Sequence, residues 1–405
     1  MTQANKDQVG ASAPATASPA SVGYAHDLRH QVNLVREALQ SEKRRLGFFV
    51  GAGCPLGIYD AQGKKSLKHI PDVDGLTDAI ATKLEGQRKE YWDKLVAACK
   101  SPEVLKPNVE HVLTQLRTIS GLKGKVTVDG MTSSFLKELD TAICTLISKI
   151  VSNPLPNHLN SYNRFARWIG HVPRIHPVEL FTSNYDLLVE ESLEQASVPF
   201  FDGFVGAREP FFDLVAMEQD HLPQRWVRLW KLHGSVNWIR REDTSVYRNL
   251  QPGQDEQLLI YPSHLKYEQS RRMPYLAMID RLRAFFRESN PLLVVCGYSF
   301  ADEHLNEVFL DGLRGNRAAH CIALMFDSLD KYGTAMKHAY KNANLTLLAR
   351  DGAVVGTRRA QYNPVEQSQV VAGIEAGPNS AVDPALCTLG DFHHFGLFLE
   401  QQYGV

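Results

Sequence analysis

The chain has 405 residues, 44 Lys and Arg against 45 Asp and Glu, and a formal net charge of -1. That length can bury a large core, in one elaborate domain or two ordinary ones, and the charge balance offers no overall pull on nucleic acid or an anionic membrane. Basic doublets such as Arg44-Arg45, Lys64-Lys65, Arg240-Arg241, Arg271-Arg272 and Arg358-Arg359 are scattered among acids and read as solvated surface. Cys54, Cys99, Cys144, Cys296, Cys321 and Cys387 form no C-x-x-C pair, so local zinc-ligand spacing is absent. Several of them sit in apolar runs, which suits small hydrophobes in a reducing compartment better than a disulfide framework. With neither a signal-like apolar core nor a membrane-length apolar run, a soluble cytoplasmic protein is expected.

Residues 1–24 are rich in Ala, Ser, Pro and Gln, and are expected to form a disordered tail. Apolar residues at helical spacing predict a first helix over 30–43. The apolar run 46–50 then predicts a buried strand that stops at Gly51-Ala52-Gly53. A strand ending on glycines can bring backbone N–H groups close to an anion. The dinucleotide fingerprint G-x-G-x-x-G nevertheless fails, because Gly57 comes one residue late, and no P-loop Lys-Ser or Lys-Thr follows.

From about 76 to 170 the texture is helical, as in EYWDKLVAACK, SFLKELDTAICTLISKIV and LNSYNRFARWIG, with Asn157 and Asn160 near helix starts. This reads as a helical subdomain inserted after the first strand. Short apolar strands then return in VELFTSN, VRLWKLHG, QLLIYPS, PLLVVCGYS, HCIALMF and LTLLAR, most of them separated by amphipathic helices. Such alternation predicts an α/β fold, a Rossmann-like parallel sheet with helices on both faces. The expected organisation is a tail over 1–24, a catalytic domain over 25–350 and an extension over 351–405, with GDFHHFGLFLEQQY as a closing helix.

Ligands of parallel sheets sit at the carboxyl ends of strands, and four such ends stand out. They are Gly51-Ala52-Gly53, Asn184 with Asp186 in FTSNYDLL, His233 in KLHGS, and Gly297 with Ser299 in CGYSFADEHL. Helix capping also accounts for Asn184 or Asp186, and for Asp302 or Glu303 at the next helix start. A lone histidine is often structural, yet His233 beside Gly234 can present an imidazole that titrates near neutrality to a cleft.

Taken in order, G-A-G, then N-Y-D, then H-G, then G-Y-S resembles the sirtuin family. The N-x-E-x-x-L start in LKPNVEHVL is similar to one in bacterial sirtuin-like proteins of antiphage defence. The resemblance implies that Gly51, Ala52 and Gly53 hold the pyrophosphate and ribose of NAD, and that Asn184 and Asp186 face the nicotinamide ribose. It also implies that His233 is the catalytic histidine and that Gly297 and Ser299 line the adenosine side. Protein-deacylating sirtuins usually carry two C-x-x-C pairs between the histidine and the later strands. Here no cysteine lies between His233 and Cys296. The implied activity is therefore that of the branch that hydrolyses NAD, with no metal. Homo-oligomers and a sensor partner such as a HerA-type ATPase are implied as well, without direct nucleic-acid or membrane binding. An NAD or ADP-ribose binding regulatory module and an NAD-dependent protein deacylase are the alternatives. A plain Rossmann oxidoreductase fails on the glycine spacing.

Overall fold

The computed structural model describes residues 25–65, 69–101, 104–121, 132–241, 243–249, 257–260 and 273–403. The tail expected at 1–24 lies outside the described residues. Helix α1 (Leu28–Gln40) leads into strand β1 (Leu46–Val50), and five helices follow: α2 (Val73–Lys83), α3 (Gly86–Ala98), α4 (Val109–Gly121), α5 (Ser133–Val151) and α6 (Ser161–His171). Next come β2 (Glu179–Thr182), α7 (Leu188–Gln195), β3 (Phe200–Phe201), β4 (Phe204–Val205), β5 (Phe211–Phe212) and α8 (Leu214–Gln219). Strands β6 (Val227–Lys231), β7 (Gly234–Arg240), β8 (Val246–Arg248) and β9 (Gln257–Ile260) precede α9 (Tyr275–Arg287). The chain continues through β10 (Leu292–Cys296), α10 (Glu303–Gly315), β11 (His320–Leu324), α11 (Gly333–Ala339) and β12 (Leu345–Leu348). It closes with β13 (Gly352–Val355), β14 (Arg358–Gln361), β15 (Ile374–Glu375), β16 (Leu386–Cys387) and α12 (Phe392–Glu400).

Every residue of β1, β2, β6 and β10 is buried, as expected for strands covered on both faces. They lie in a nine-stranded sheet of order β14-β13-β12-β11-β10-β1-β2-β6-β3. Pairing is parallel from β12 through β3, and only β13 and β14 run antiparallel. Successive strand residues point to opposite faces, and two adjacent phenylalanines divide the core accordingly. Phe48 packs edge-on against Phe165 and Trp168 of α6, with ring centroids at 5.0 and 5.8 Å, and near Phe395 of α12. Phe49 meets Phe309 of α10 edge-on at 5.3 Å on the other face. The fold is thus the expected α/β, Rossmann-like arrangement.

Several parts differ from the expectation. Strand β9, read as one of the parallel series, pairs antiparallel with β7 in a separate five-stranded sheet of order β4-β5-β8-β7-β9. A short unbroken apolar run such as QLLI suits either sheet, and only its partner decides. Helix α6, the last of the helical stretch, covers the main sheet through Phe165 and Trp168, whereas α2 to α5 pack mainly on one another. Its start is a capping box of Asn160 and Asn163, so Asn160 serves as an N-cap.

Beyond residue 350 the chain stays within the same body. The β13–β14 hairpin extends the sheet, and Gly356 and Thr357 at its turn both have positive φ (54° and 71°), as a type I′ turn requires. His26 pairs with Tyr362, and helix α12 packs on α6. Among the described residues no helix is long and apolar enough to cross a membrane.

Candidate functional site

The chain visits β1, β2 and β6 on one side of the sheet, then crosses back to β10, β11 and β12 on the other. The order reverses between β1 and β10, the position where open α/β sheets form a crevice at the strand carboxyl ends. Four strands end there in register. Cys296 pairs with Val50, Val50 with Thr182, and Thr182 with Lys231. The segments carrying Gly297, Gly51, Asn184 and His233 therefore leave the sheet at one level, across about 14 Å at ordinary strand spacing.

The two glycine loops meet backbone to backbone. A Cβ on Gly51 would lie 2.4 Å from the Gly297 carbonyl oxygen, and one on Gly297 would lie 2.5 Å from the Cys54 nitrogen. Gly297 also has φ of 65°, while Gly53 has φ of -78°. Positive φ thus matters at Gly297, and close approach matters at Gly51 and Gly53. The N–H groups expected to face an anion are mostly engaged within the protein. Gly51 donates to Cys296 O at 2.9 Å, Gly53 to Gly297 O at 2.8 Å, and Cys54 to Gly51 O at 3.0 Å. Gly297→Ala should therefore lower unfolding stability by about 1–3 kcal/mol or more, read from the urea midpoint. Wild-type stability in that variant would mean that the loops do not need this approach.

Ala52 and Gly53 are half-buried beside this contact, and Ser299 is exposed at the rim. Cys54 is fully buried, and burial pushes its thiol well up, which makes it an inert packing residue rather than a nucleophile.

Asn184 is tied to β1. Its Nδ2 donates to Gly51 O at 3.1 Å, and its own N–H donates at 3.0 Å to the Thr182 hydroxyl, which in turn donates to Val50 O at 2.7 Å. The amide oxygen of Asn184 is buried and has no hydrogen-bond partner among the described residues. Such an orphaned buried acceptor is what a bound water or hydroxyl would satisfy. Neither Asn184 nor Asp186 is the N-cap of α7, which is Leu187, but Asp186 accepts from Leu188 N–H at 3.1 Å at the start of that helix.

Burial drives the Asp186 carboxyl up to about 6, against the pull of Lys231 and the Leu188 N–H. The folded-state value lies above the ordinary 3.8, so between about pH 4 and 6 the folded chain keeps a proton that the unfolded chain has released. Stability from this group falls as pH rises through that window, and the cost is complete above it. Asp186→Asn keeps the Leu188 acceptor and removes the titration. Its stability gain over wild type should be on the order of 2–3 kcal/mol at pH 7.5 and shrink toward zero near pH 4, by urea unfolding at both values. An equal gain at both pH values would show that this carboxyl does not carry the effect.

Sequence reasoning missed what lies beneath. Lys231, 1% exposed, donates to the Asp186 carbonyl oxygen and, at 2.8 Å, to Glu190 Oε1. The second Glu190 oxygen and the Tyr162 hydroxyl are also buried without partners among the described residues. A lysine closing a fully buried strand, with a carboxylate-bearing helix earlier in the chain, was the available signal. Helix α4 reaches the same loop, for Asn108 accepts from the N–H groups of Glu110 and His111, and the Tyr185 hydroxyl donates to Glu110 at 3.5 Å.

His233 lies between β6 and β7, and Gly234 turns the chain there with φ of 91°. Its Nε2 is 3.1 Å from Asp302 Oδ2, with the side chains 5% and 9% exposed. The other Asp302 oxygen accepts from His304 and Leu305 N–H at 3.1 and 3.2 Å, capping α10. The capping reading of Asp302 is therefore correct and incomplete. The loop before it is firmly held. Phe300 has φ of 59°, an unusual conformation for an aromatic residue, and Asn306 Nδ2 grips its carbonyl at 2.8 Å. The Tyr298 hydroxyl lies 3.1 Å from Asp302 O and 2.9 Å from Asn306 Oδ1.

Among the described residues no group of three His, Cys, Asp or Glu side chains is placed to hold a metal ion. A half-open polar cavity of about 320 Å³ lies elsewhere, between the start of α6 and the end of α7, lined by His158, Asn163, Arg167 and Gln195 among others. It touches none of the strand-end residues. We place the candidate site at the strand ends instead, because orphaned acceptors and the His–Asp pair converge there.

No curated protein matches the chain. Similar solved structures include a mutant Sir2 homologue bound to ADP ribose, 13% identical, covering 72% of this chain and 83% of the other with a TM-score of 0.34. A structure on the mechanism and regulation of Sir2 enzymes is 13% identical over 74% and 86%, with a TM-score of 0.35. A Sir2 homologue complexed with NAD is 12% identical over 76% and 87%, with a TM-score of 0.31. Residues 178–347 match the family model described as SIR2-like domain. Over that span, which holds Asn184, Asp186, His233, Gly297 and Ser299, the chain is similar to the SIR2-like domain family.

Proposed function

We propose that this chain is an NAD hydrolase that cleaves the bond between nicotinamide and ribose, releasing nicotinamide and ADP-ribose. The observation that carries the reading is the convergence, at one end of the sheet, of the four strand ends whose order resembles the sirtuins. The family match over 178–347 supports it.

Nicotinamide in NAD is cationic, so it departs neutral and needs no general acid. The barrier lies in forming an oxocarbenium-like sugar and bringing water to it. Gly51 O holds the Asn184 amide by its nitrogen, and this leaves the amide oxygen to accept a proton of that water. His233 takes up the proton that the water loses on attack, or one from a ribose hydroxyl. Asp186, ionised above about pH 6, fixes the ribose hydroxyls and offsets the developing positive charge. The glycine loops at Gly51, Ala52, Gly53 and Gly297, with Ser299, receive the pyrophosphate and adenosine through the close approach their missing side chains allow, since the Gly51 and Gly53 N–H groups are paired within the protein.

Free hydrolysis of NAD would be lethal to a cell. The reading therefore includes restraint until a trigger arrives, in an antiphage effector that depletes NAD. A homo-oligomer with a sensor partner of the HerA-type ATPase class fits that role. The assay is nicotinamide release by the purified chain, alone and with the candidate ATPase, in ¹⁸O water. Release with the label in ADP-ribose is the expected result. Tight NAD binding with no release under either condition would favour a regulatory binding module, and release only with an acylated lysine peptide would favour a deacylase.

A further inference from the structure

We infer that Asp302 is the positioning residue of His233, an inference that rests on the NAD-cleavage reading for its catalytic consequence. The two residues come from strand ends that are not neighbours. His233 follows β6 and Asp302 follows β10, and the strand order β10-β1-β2-β6 places β1 and β2 between them. Their contact at 3.1 Å therefore bridges above the ends of β1 and β2, where Asn184 is held against Gly51 O.

A helix cap alone does not call for this carboxylate. Ser, Thr, Asn and Asp all cap well, and one Asp302 oxygen already accepts the His304 and Leu305 N–H groups of α10. The second oxygen is left to face His233. A carboxylate can only accept, so it orients the neutral imidazole with its proton on Nε2 and stabilises the imidazolium once a second proton arrives. The clamped loop, with Asn306 on Phe300 and Tyr298 on Asp302, fixes the carboxylate independently of the histidine.

The test separates cap from partner. Asp302→Asn and Asp302→Ser both retain an acceptor for the α10 N–H groups. Neither keeps the negative charge, and in Asp302→Asn the amide nitrogen turned toward Nε2 donates instead of accepting. Both variants should melt close to wild type and bind NAD with unchanged Kd. Their kcat for nicotinamide release should fall about 10²-fold or more. In ¹⁵N-histidine spectra of the full chain, the His233 Nε2 signal of wild type should be of the protonated, pyrrole type. It should move to the unprotonated type in Asp302→Asn. Full kcat in both variants of an active enzyme overturns the inference, as does a His233 ring signal unchanged by Asp302→Asn. If wild type never cleaves NAD, the hydrolase reading fails by itself. The ring signal still decides whether Asp302 orients His233.

Discussion

His233→Ala should release nicotinamide about 10²- to 10⁴-fold more slowly than wild type, the range expected for loss of a general base. The side chain is buried at the carboxyl ends of the strands, against Asp302, so its removal touches the site before the sheet itself. Asp302 retains its two helix N–H donors in the variant, which keeps the remaining carboxylate satisfied. Asn184→Ala should cost a similar order, because it removes the acceptor that orients the water. The double variant should be little slower than either single one, since both groups serve the same water. NAD affinity should survive in all three. A bulky replacement of Gly53, whose added Cβ would lie 3.0 Å from Gly297 Cα, should weaken binding itself. The measurement is nicotinamide release under triggering conditions, with binding followed on the same samples by calorimetry. Full turnover by His233→Ala would remove this histidine from the mechanism.

Lys231→Met should lower unfolding stability by about 3–5 kcal/mol, the usual cost of leaving one member of a buried ion pair behind. Methionine matches the length of the aliphatic stem but supplies no donor. Glu190 Oε1 would lose its partner at 2.8 Å, and its other oxygen has none among the described residues. The carbonyl of Asp186 would lose a donor as well. Activity should fall together with stability, since that carbonyl belongs to the loop that carries Asn184. The double variant Lys231→Met/Glu190→Gln should regain part of the loss, because Glu190 then strands no charge, while the Asp186 carboxyl still lacks the pull of Lys231. Urea unfolding of wild type and both variants measures this, with a shared slope showing that the unfolded states are alike. A single variant as stable as wild type would mean that Glu190 finds water or another donor.

The sequence alone determined β1, β2, β6, β10, β11 and β12 as strands of one sheet, and which of their ends carry the candidate residues. Continuous apolar runs such as LGFFV and LLVVC exist only where both faces are covered, and glycine, asparagine and histidine directly after them are visible without a structure. Local periodicity holds no record of a strand's partner. For that reason the antiparallel sheet of β4, β5, β7, β8 and β9 was hidden, and β9 was read into the wrong sheet. The inclusion of β13 and β14 was hidden in the same way, although the Gly356-Thr357 turn was a usable sign. Only tertiary structure joined Asp302 to His233 and placed Lys231 beside Glu190, because each pair spans strand ends or layers far apart in the chain. It also decided what the glycines do. Gly51 and Gly53 look like an anion cradle in sequence, but their N–H groups are paired within the protein and their bare Cα atoms let two loops touch. Strand order sets these meetings, through which buried faces and backbone edges pair across long chain separations.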